Sequence, residues 1–450
     1  FLKQETYSLI IKGNTGTGKT TLALSILREF GVNKNCLYIS TRISPDQIFQ
    51  YYPWVAKFFN QIKKIEPTES VDTTDSSMFV DARLDESGPL FERITNELMD
   101  VRAPTIIIDT WDAVGFLMDK ETLLNNLRVL QTWRERAGAR MIFVTENSED
   151  KIFDFLVDGI VELRQRQDNE RIVREIFLSK LRGVRINKPS YIFSVNNSQF
   201  HSYEHFQPWK LEDSMYFPTS AKDIEKQDLS NNESYFTTGY QELDKVFGGG
   251  FPKNSIISIE LDFHINAKIA LAFLSKTIAN FIATKNLILF HPFEKSGLEL
   301  LSHYQKLFSA QKDLVKILSN TINPNTQAKN KKHHKPIEDA ILAIKKKYRK
   351  KHLLSIFGFD IVNLFSKIDS DSKTLDLFGL IKSNSDLSIF ISRRSHVNKH
   401  SHLSEISDIR LSILEIDGTV FLQSETPWSQ LYAIELPQEK GNGIELEPVV

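Results

Sequence analysis

The stretch YSLIIKGNTGTGKTTLALSILREF, residues 7–30, decides how the rest of the chain is read. Residues 7–12 form an apolar run that predicts a buried strand, and Thr20 to Phe30 carry a helical pattern. Between them Gly13-Asn14-Thr15-Gly16-Thr17-Gly18-Lys19-Thr20 satisfies G-x-x-x-x-G-K-[ST] at every fixed position. Glycines between a strand and a helix let successive backbone N–H groups turn inward around phosphates, and the helix N-terminus adds partial positive charge. Lys19 is then the group that reaches the β- and γ-phosphates, Thr20 supplies a hydroxyl to Mg²⁺, and Asn14, Thr15, Thr17 and Thr21 belong to the cradle. A merely structural glycine turn is the competing reading. The ordered context of strand, loop and helix counts against it.

Working outward, short β-rich runs alternate with helical patterns: strands at 36–40, 78–82, 105–109 and 140–145, helices at 88–101 and 119–137. This alternation predicts parallel βαβ units with helices on both faces of a sheet. Two further strands, 158–165 and 172–180, read as antiparallel additions at one edge. Asp109 ends the apolar run TIIID, and a carboxylate at the C-terminal end of a buried strand meets phosphates where open α/β sheets bind ligands. It is the natural second Mg²⁺ element; Asp112 reads as a cap or turn residue. Residues 64–77 are polar and acidic and read as a loop or lid.

The length of 450 residues implies two or three domains, and 41% hydrophobic residues suffice to fill their cores. With 56 Lys and Arg against 57 Asp and Glu, the net charge of −1 argues against a protein that coats nucleic acid or an anionic membrane as a whole. The single cysteine, Cys36, excludes an internal disulfide or a cysteine-based zinc site and fits a reducing compartment. No apolar run reaches the ~18 residues of a membrane span, and no signal peptide precedes the first strand. The expectation is a soluble cytoplasmic protein with no membrane contact; because the sequence opens at Phe1 rather than Met, a short leader is expected to be missing from it.

Periodicity fades over 201–236, read as a linker between domains at 1–200 and 237–450. The second half repeats the βα pattern: strand 255–261, helix 267–283, strand 286–291, helix 295–309, and later strands at 353–357, 387–392, 409–416 and 419–423. Residues 8–24 align with 256–272, and 106–117 with 354–365, both at an offset of 248. Two segments agreeing on one offset point to a duplication. At that offset Gly13, Gly18, Lys19 and Asp109 become Leu261, Asn266, Ala267 and Phe357. The second copy therefore lacks the glycines that let backbone approach a phosphate, even if a slip of one residue makes Lys268 the lysine.

The glycine loop, the strand DGIVELR (158–164) and SKLRG (179–183) resemble the RecA/KaiC-type ATPases. TTGYQELDKVFGGG (237–250) resembles the lead-in element of KaiC-type domains, matching at Thr238, Gly239, Leu243, Asp244 and Gly248 to Gly250. The resemblance implies two tandem RecA-like P-loop NTPase domains with mainly parallel central sheets, the second degenerate, and ATP with Mg²⁺ as ligands. It also implies that Lys180 and Arg182, the K-x-R-G cations, point from one subunit or domain into a neighbour's nucleotide site, which would require a homo-oligomer or an intramolecular domain pair. A solvated basic strand face is the other reading of the pair. In that family a Glu after the second strand usually serves as the base; here YISTRISP places Thr41 and Arg42 there, and Glu146, after another strand, substitutes only if the geometry allows. Slow or partner-dependent hydrolysis is expected.

A narrower resemblance covers about 200 residues: YISTRISPDQIFQYYPW (38–54), FVDARL (79–84) and VTEN (144–147) are similar to the GvpD family of archaeal P-loop proteins. That family's regulatory members imply a protein partner such as a transcription regulator, and Arg-rich stretches, here Arg134, Arg136 and Arg140, and Arg164, Arg166, Arg171 and Arg174. Each cluster also reads as a solvated face. Lys345 to Lys351 form the concentrated basic run, a candidate contact for a phosphate backbone or a solvated helix end; His333, His334 and His352 lack ligand-spaced companions. The sequence reading is an ATP-binding regulatory switch with segments 38–54 and 64–83 ordering around nucleotide. Its rivals are a DNA-dependent ATPase of the RecA/RadA type and a KaiC-type autokinase.

Overall fold

The computed structural model describes residues 6–30, 36–58, 63–64, 78–83, 103–115, 118–146, 152–168, 171–207, 234–291, 314–317, 335–358, 371–394, 402–436 and 444–449. The chain divides into two compact units whose bulk is Phe1–Glu204 and His205–Pro448.

In the first unit the strands are β1 (Ser8–Gly13), β2 (Cys36–Ser40), β3 (Lys63–Lys64), β4 (Met78–Asp81), β5 (Thr105–Asp109), β6 (Arg140–Thr145), β7 (Gly159–Asp168), β8 (Arg171–Leu181), β9 (Ser190–Ser194) and β10 (His201–Ser202). They form one sheet in the order β10-β9-β8-β7-β1-β6-β5-β2-β4-β3. From β7 through β3 the pairings are parallel, and β8 turns antiparallel on β7. β1, β2, β5 and β6 are buried along their whole length, as parallel strands covered on both faces must be. The helices are α1 (Lys19–Phe30), α2 (Pro45–Tyr51), α3 (Pro53–Phe58), α4 (Trp111–Gly115), α5 (Lys120–Ala137) and α6 (Ile152–Leu156). One face packs Leu22, Leu24 and Leu27 of α1 against Ile11, Tyr38 and Val144; the other packs Trp111, Leu127 and Leu130 against Ile106, Ile108 and Phe143. Asp119 caps α5 by accepting the Thr122 N–H at 2.9 Å, and Gly138 closes it in the left-handed region at φ 69°.

The second unit opens with a two-stranded pair, β11 (Tyr235–Phe236) and β12 (Phe251–Pro252), around α7 (Gln241–Val246). Within this lead-in turn Asp244 accepts the Thr238 N–H and the hydroxyls of Thr237 and Thr238, so its work is to hold the turn. The main sheet contains β13 (Ser255–Leu261), β14 (Leu287–His291), β15 (Val315–Ile317), β16 (Leu353–Phe357), β17 (Leu387–Arg393), β18 (Ile409–Ile416), β19 (Thr419–Thr426), β20 (Leu431–Glu435) and β21 (Glu445–Val449). Its order is β15-β14-β16-β17-β13-β18-β19-β20-β21. Helix α8 (Lys268–Ala283) covers one face; α9 (Lys335–Lys347) and α10 (Asp371–Asn384) contribute Ile341, Ile344, Phe378 and Ile381 to the other.

The two sheets share one topology. Reading β4-β2-β5-β6-β1-β7-β8 beside β15-β14-β16-β17-β13-β18-β19 matches strand for strand, with the same change from parallel to antiparallel at the last step. The chain folds as two tandem RecA-like domains.

Several expectations change. Strands at His201–Ser202 and Tyr235–Phe236 trim the stretch 201–236 read as linker from both ends, and most of what lies between falls outside the described residues. The expected helices at 88–101 and 295–309 and all but Lys64 of the loop expected at 64–77 also lie outside them; so does the low-complexity polar stretch expected as an insertion at 323–336, apart from Lys335 and Pro336. Segment 38–54 is not a loop waiting for a ligand: it folds as the end of β2 followed by α2 and α3. A capping box joins Ser44 and Gln47, and the Trp54 indole N–H donates to the Ser198 carbonyl at 2.8 Å. No helix among the described residues is long and apolar enough to cross a membrane.

Candidate nucleotide site

The site is built at the C-terminal ends of the central parallel strands, where the chain leaves β1 into the glycine loop. Gly13 faces the Leu163 carbonyl so closely that a Cβ there would come within 2.5 Å of it. Gly18 holds φ 97°, and a Cβ would meet Val195 at 2.9 Å; both positions need glycine for backbone geometry and space together. Beyond Gly16 there is open space, as a cradle for an incoming group requires. Thr17 closes the turn internally, its hydroxyl donating to the Asn14 carbonyl at 2.8 Å.

Lys19 opens α1 and folds back over the loop. Its ammonium donates to the carbonyls of Gly13 at 2.8 Å and Asn14 at 2.9 Å, and the side chain is buried. Burial pulls its pKa down, opposed by the negative charges of Glu146 and Asp109. One residue on, the Thr20 hydroxyl donates to Asp109 Oδ2 at 2.7 Å, so the two residues expected to share a divalent cation already touch. Asp109 also accepts the Tyr38 hydroxyl at 2.5 Å, from the neighbouring strand β2. Burial drives the Asp109 carboxyl up, against the pull of those two hydrogen bonds and of Lys19. The donor set of hydroxyl and carboxylate suits Mg²⁺, which prefers oxygen ligands. Thr21 turns the other way: its hydroxyl lies 3.3 Å from that of Tyr52, so it ties α1 to the end of α2 rather than lining the cradle.

Beside this centre stand groups that the sequence named singly without placing them together. Thr41 and Arg42, which follow β2, divide two tasks. The Thr41 hydroxyl donates to the Thr110 carbonyl and accepts the Thr110 N–H, at 2.9 and 2.8 Å. Arg42 reaches across to Glu146 with contacts of 2.5 and 3.1 Å, and the Glu146 carboxylate lies 3.9 Å from the Lys19 ammonium. Asp112 is no helix cap: its carboxylate accepts the Thr145 hydroxyl and the Glu146 N–H, both at 2.6 Å, and so fixes the turn after β6.

The K-x-R-G cations lie elsewhere in their own unit. Leu181 stands opposite Gly159, and Gly159 opposite Leu9, so this end of β8 is level with the start of β1 and remote from the glycine loop that follows Gly13. The expectation of two cations on one strand face fails, because β8 ends at Leu181 and leaves Arg182 in the following turn. Lys180 donates to the carbonyls of Asp154 and Val157, each at 2.7 Å, while Arg182 pairs with Asp158 at 2.7 Å. Asp158 also takes Arg134 at 2.5 Å and the Ser8 hydroxyl at 2.8 Å. Arg134 and Arg140 are thus buried structural residues, the latter over the Phe30 ring, and not members of a solvated basic face. Arg164 and Arg166 are exposed on β7.

In the second unit the matching turn is closed. Leu261, Ile265 and Ala267 are buried, and Arg393 donates to the carbonyls of Phe263 and Ile265 at 3.1 and 2.9 Å. Phe357, in the place of Asp109, stacks on Phe390. Lys345 of the basic run is spent on Asp386 at 3.0 Å, and His352 has a carboxylate companion after all, the same Asp386 at 3.0 Å from Nδ1. Among the described residues no cluster of three or more His, Cys, Asp or Glu forms a metal site.

A family model for the KaiC ATPase matches residues 3–205. The first unit is thus similar to a KaiC-type ATPase domain. Over a longer stretch the chain is similar to protein GvpD1 of Halobacterium salinarum, 26% identical across 294 residues, 61% of this chain and 52% of that protein. It is also similar to the circadian clock oscillator protein KaiC of Thermostichus vulcanus, 26% identical over 263 residues (55% of this chain, 46% of that protein). The Synechococcus elongatus KaiC is 24% identical over 308 residues, 65% and 55% of the two chains. The chain spans about half the length of these curated relatives. Likeness to KaiC and GvpD proteins does not favour the RecA/RadA alternative. In the first unit the glycine loop, Lys19, Thr20 and Asp109 lie together, whereas Lys180 and Arg182 do not join them.

Proposed function

We propose that this chain is a nucleotide-dependent regulatory protein of the KaiC/GvpD type, whose first unit binds Mg·ATP and turns it over slowly while a partner protein, such as a transcription regulator, reads the bound state. The observation that carries this reading is the convergence of Lys19, the Thr20–Asp109 pair and the open glycine loop at one end of the sheet. On binding, Lys19 exchanges the Gly13 and Asn14 carbonyls for phosphate oxygens, and the loop amides complete the cradle. Mg²⁺, held by Thr20 and Asp109, would neutralise charge on the β- and γ-phosphates. Slow turnover follows from the sequence after β2, where Thr41 and Arg42 replace a carboxylate.

The test is nucleotide binding and turnover on wild type and Lys19→Ala at several protein concentrations. Tight binding with slow turnover, both lost in Lys19→Ala, supports the switch. Turnover that is fast and rises steeply with protein concentration overturns it in favour of an assembled ATPase in which Lys180 and Arg182 serve a neighbouring subunit. GTP measured in parallel decides the base preference.

A further inference from the structure

The cation after β2 and the carboxylate after β6 form a matched pair. In sheet order β6 lies between β1 and β5, so the residue that follows it emerges next to both the glycine loop and Asp109. Glu146 is that residue. Its backbone is fixed by Asp112, its carboxylate is 3.9 Å from the Lys19 ammonium, and the Thr15 hydroxyl of the glycine loop bonds to it. From the other side Arg42 grips the same carboxylate with two guanidinium nitrogens. In this site β2 thus delivers a cation and β6 an anion.

We propose that Glu146 is the catalytic carboxylate of this site and that Arg42 is a latch that holds it out of action. This rests on the nucleotide-site reading above. When the latch opens, Glu146 takes a proton from the attacking water as the water oxygen bonds to the γ-phosphorus. The bond from that phosphorus to the β–γ bridging oxygen breaks, giving nucleoside diphosphate and inorganic phosphate, and Glu146 then releases its proton to solvent. With the latch closed both carboxylate oxygens are engaged and cannot accept that proton. The hydrogen bond from Arg42 is the largest influence on Glu146 and lowers its pKa; partial burial opposes, and Lys19 and Thr15 add to the lowering. Among the described residues Asp112 and Asp109 also act on Arg42. A carboxylate held low is a weak base. Side-chain exposures of 47% for Arg42 and 27% for Glu146 leave the pair room to open and make both positions tolerant of substitution.

Four full-length proteins test this: wild type, Arg42→Gln, Glu146→Gln and the double variant, each assayed for single-turnover hydrolysis and for binding of a fluorescent ATP analogue. Glu146→Gln should bind normally and lose about 10²-fold in rate, the usual worth of a general base. Arg42→Gln should gain about tenfold, and the acid limb of its pH–rate profile should move to higher pH as Glu146 regains a higher pKa. The double variant should be as slow as Glu146→Gln, and Arg42→Lys, which keeps charge but not the two-pronged grip, should lie between wild type and Arg42→Gln. An Arg42→Gln rate that is unchanged or lower overturns the latch and makes Arg42 a phosphate ligand or a bystander. A Glu146→Gln rate close to wild type removes Glu146 from catalysis. Failure of wild type to bind the analogue in a Lys19-dependent way sinks the site reading itself, which separates the two results.

Discussion

Asp109 shows how a single residue can be useful and costly at once. It is buried, burial raises its pKa, and its hydrogen bonds from Tyr38 and Thr20 recover part of the loss. Replacing it with Asn removes the buried charge and keeps an acceptor for both hydroxyls. Asp109→Asn should therefore raise the stability of the nucleotide-free protein by about 0.5–2 kcal/mol while abolishing the Mg²⁺ dependence of nucleotide affinity; melting curves and titrations with and without Mg²⁺ check both halves. The cost of the ionised group is absent below the unfolded carboxylate range and grows as pH rises through it toward the higher folded value. The melting difference between wild type and variant should accordingly shrink on acidification. Lys19, Thr20 and Asp109 were legible in the sequence because their roles are set by spacing along the chain and by position at a strand end. Tyr38 and the Arg42–Glu146 pairing were not, because only the placement of β5 between β6 and β2 brings Tyr38 to Asp109 and Arg42 to Glu146.

At the scale of elements, the junction of α5, β7 and β8 is held by Asp158, which accepts from Ser8 and pairs with Arg134 and Arg182. Burial alone would raise the Asp158 carboxyl; bonds from Ser8 and Arg134 outweigh it and leave the pKa lowered. Its stabilisation is then present above the unfolded carboxylate range and lost as pH falls through the folded value. Asp158→Ala leaves Arg134 buried without its carboxylate and should cost the first unit about 3–5 kcal/mol, read from denaturant unfolding. Arg182, with its side chain 61% exposed, should cost no more than about 1 kcal/mol when replaced by Ala. If Arg182→Ala nevertheless slows turnover only at high protein concentration, the residue acts on a neighbouring chain. The strands themselves were readable because both faces are apolar and their ends carry Gly, Asp or Ser. Strands β9 and β10 escaped notice, since the apolar run within Ser190–Ser194 is only Tyr191 to Phe193 and His201–Ser202 is two exposed residues, each too short for a clear strand pattern.

For the whole molecule, the shared strand order of the two sheets gives structural substance to the 248-residue offset, which was visible because the central strands β5 and β16 kept both their length and their spacing. The second copy of the fold lacks the glycines and the strand-end carboxylate of the first, with Leu261, Asn266 and Phe357 in the places of Gly13, Gly18 and Asp109. Calorimetry with saturating Mg·ATP should give one nucleotide per chain, and Lys268→Ala should leave that stoichiometry and affinity unchanged; two sites per chain would contradict the closed second turn. The way that turn is closed also constrains its history. Arg393 occupies the carbonyls of Phe263 and Ile265 from β17, so glycines restored to the turn would meet an arginine already seated there, and loss of Arg393 alone would leave the carbonyls bare. Neither change by itself returns a working loop. Opening the turn to phosphate would on this geometry take at least two changes, one in the turn and one at Arg393.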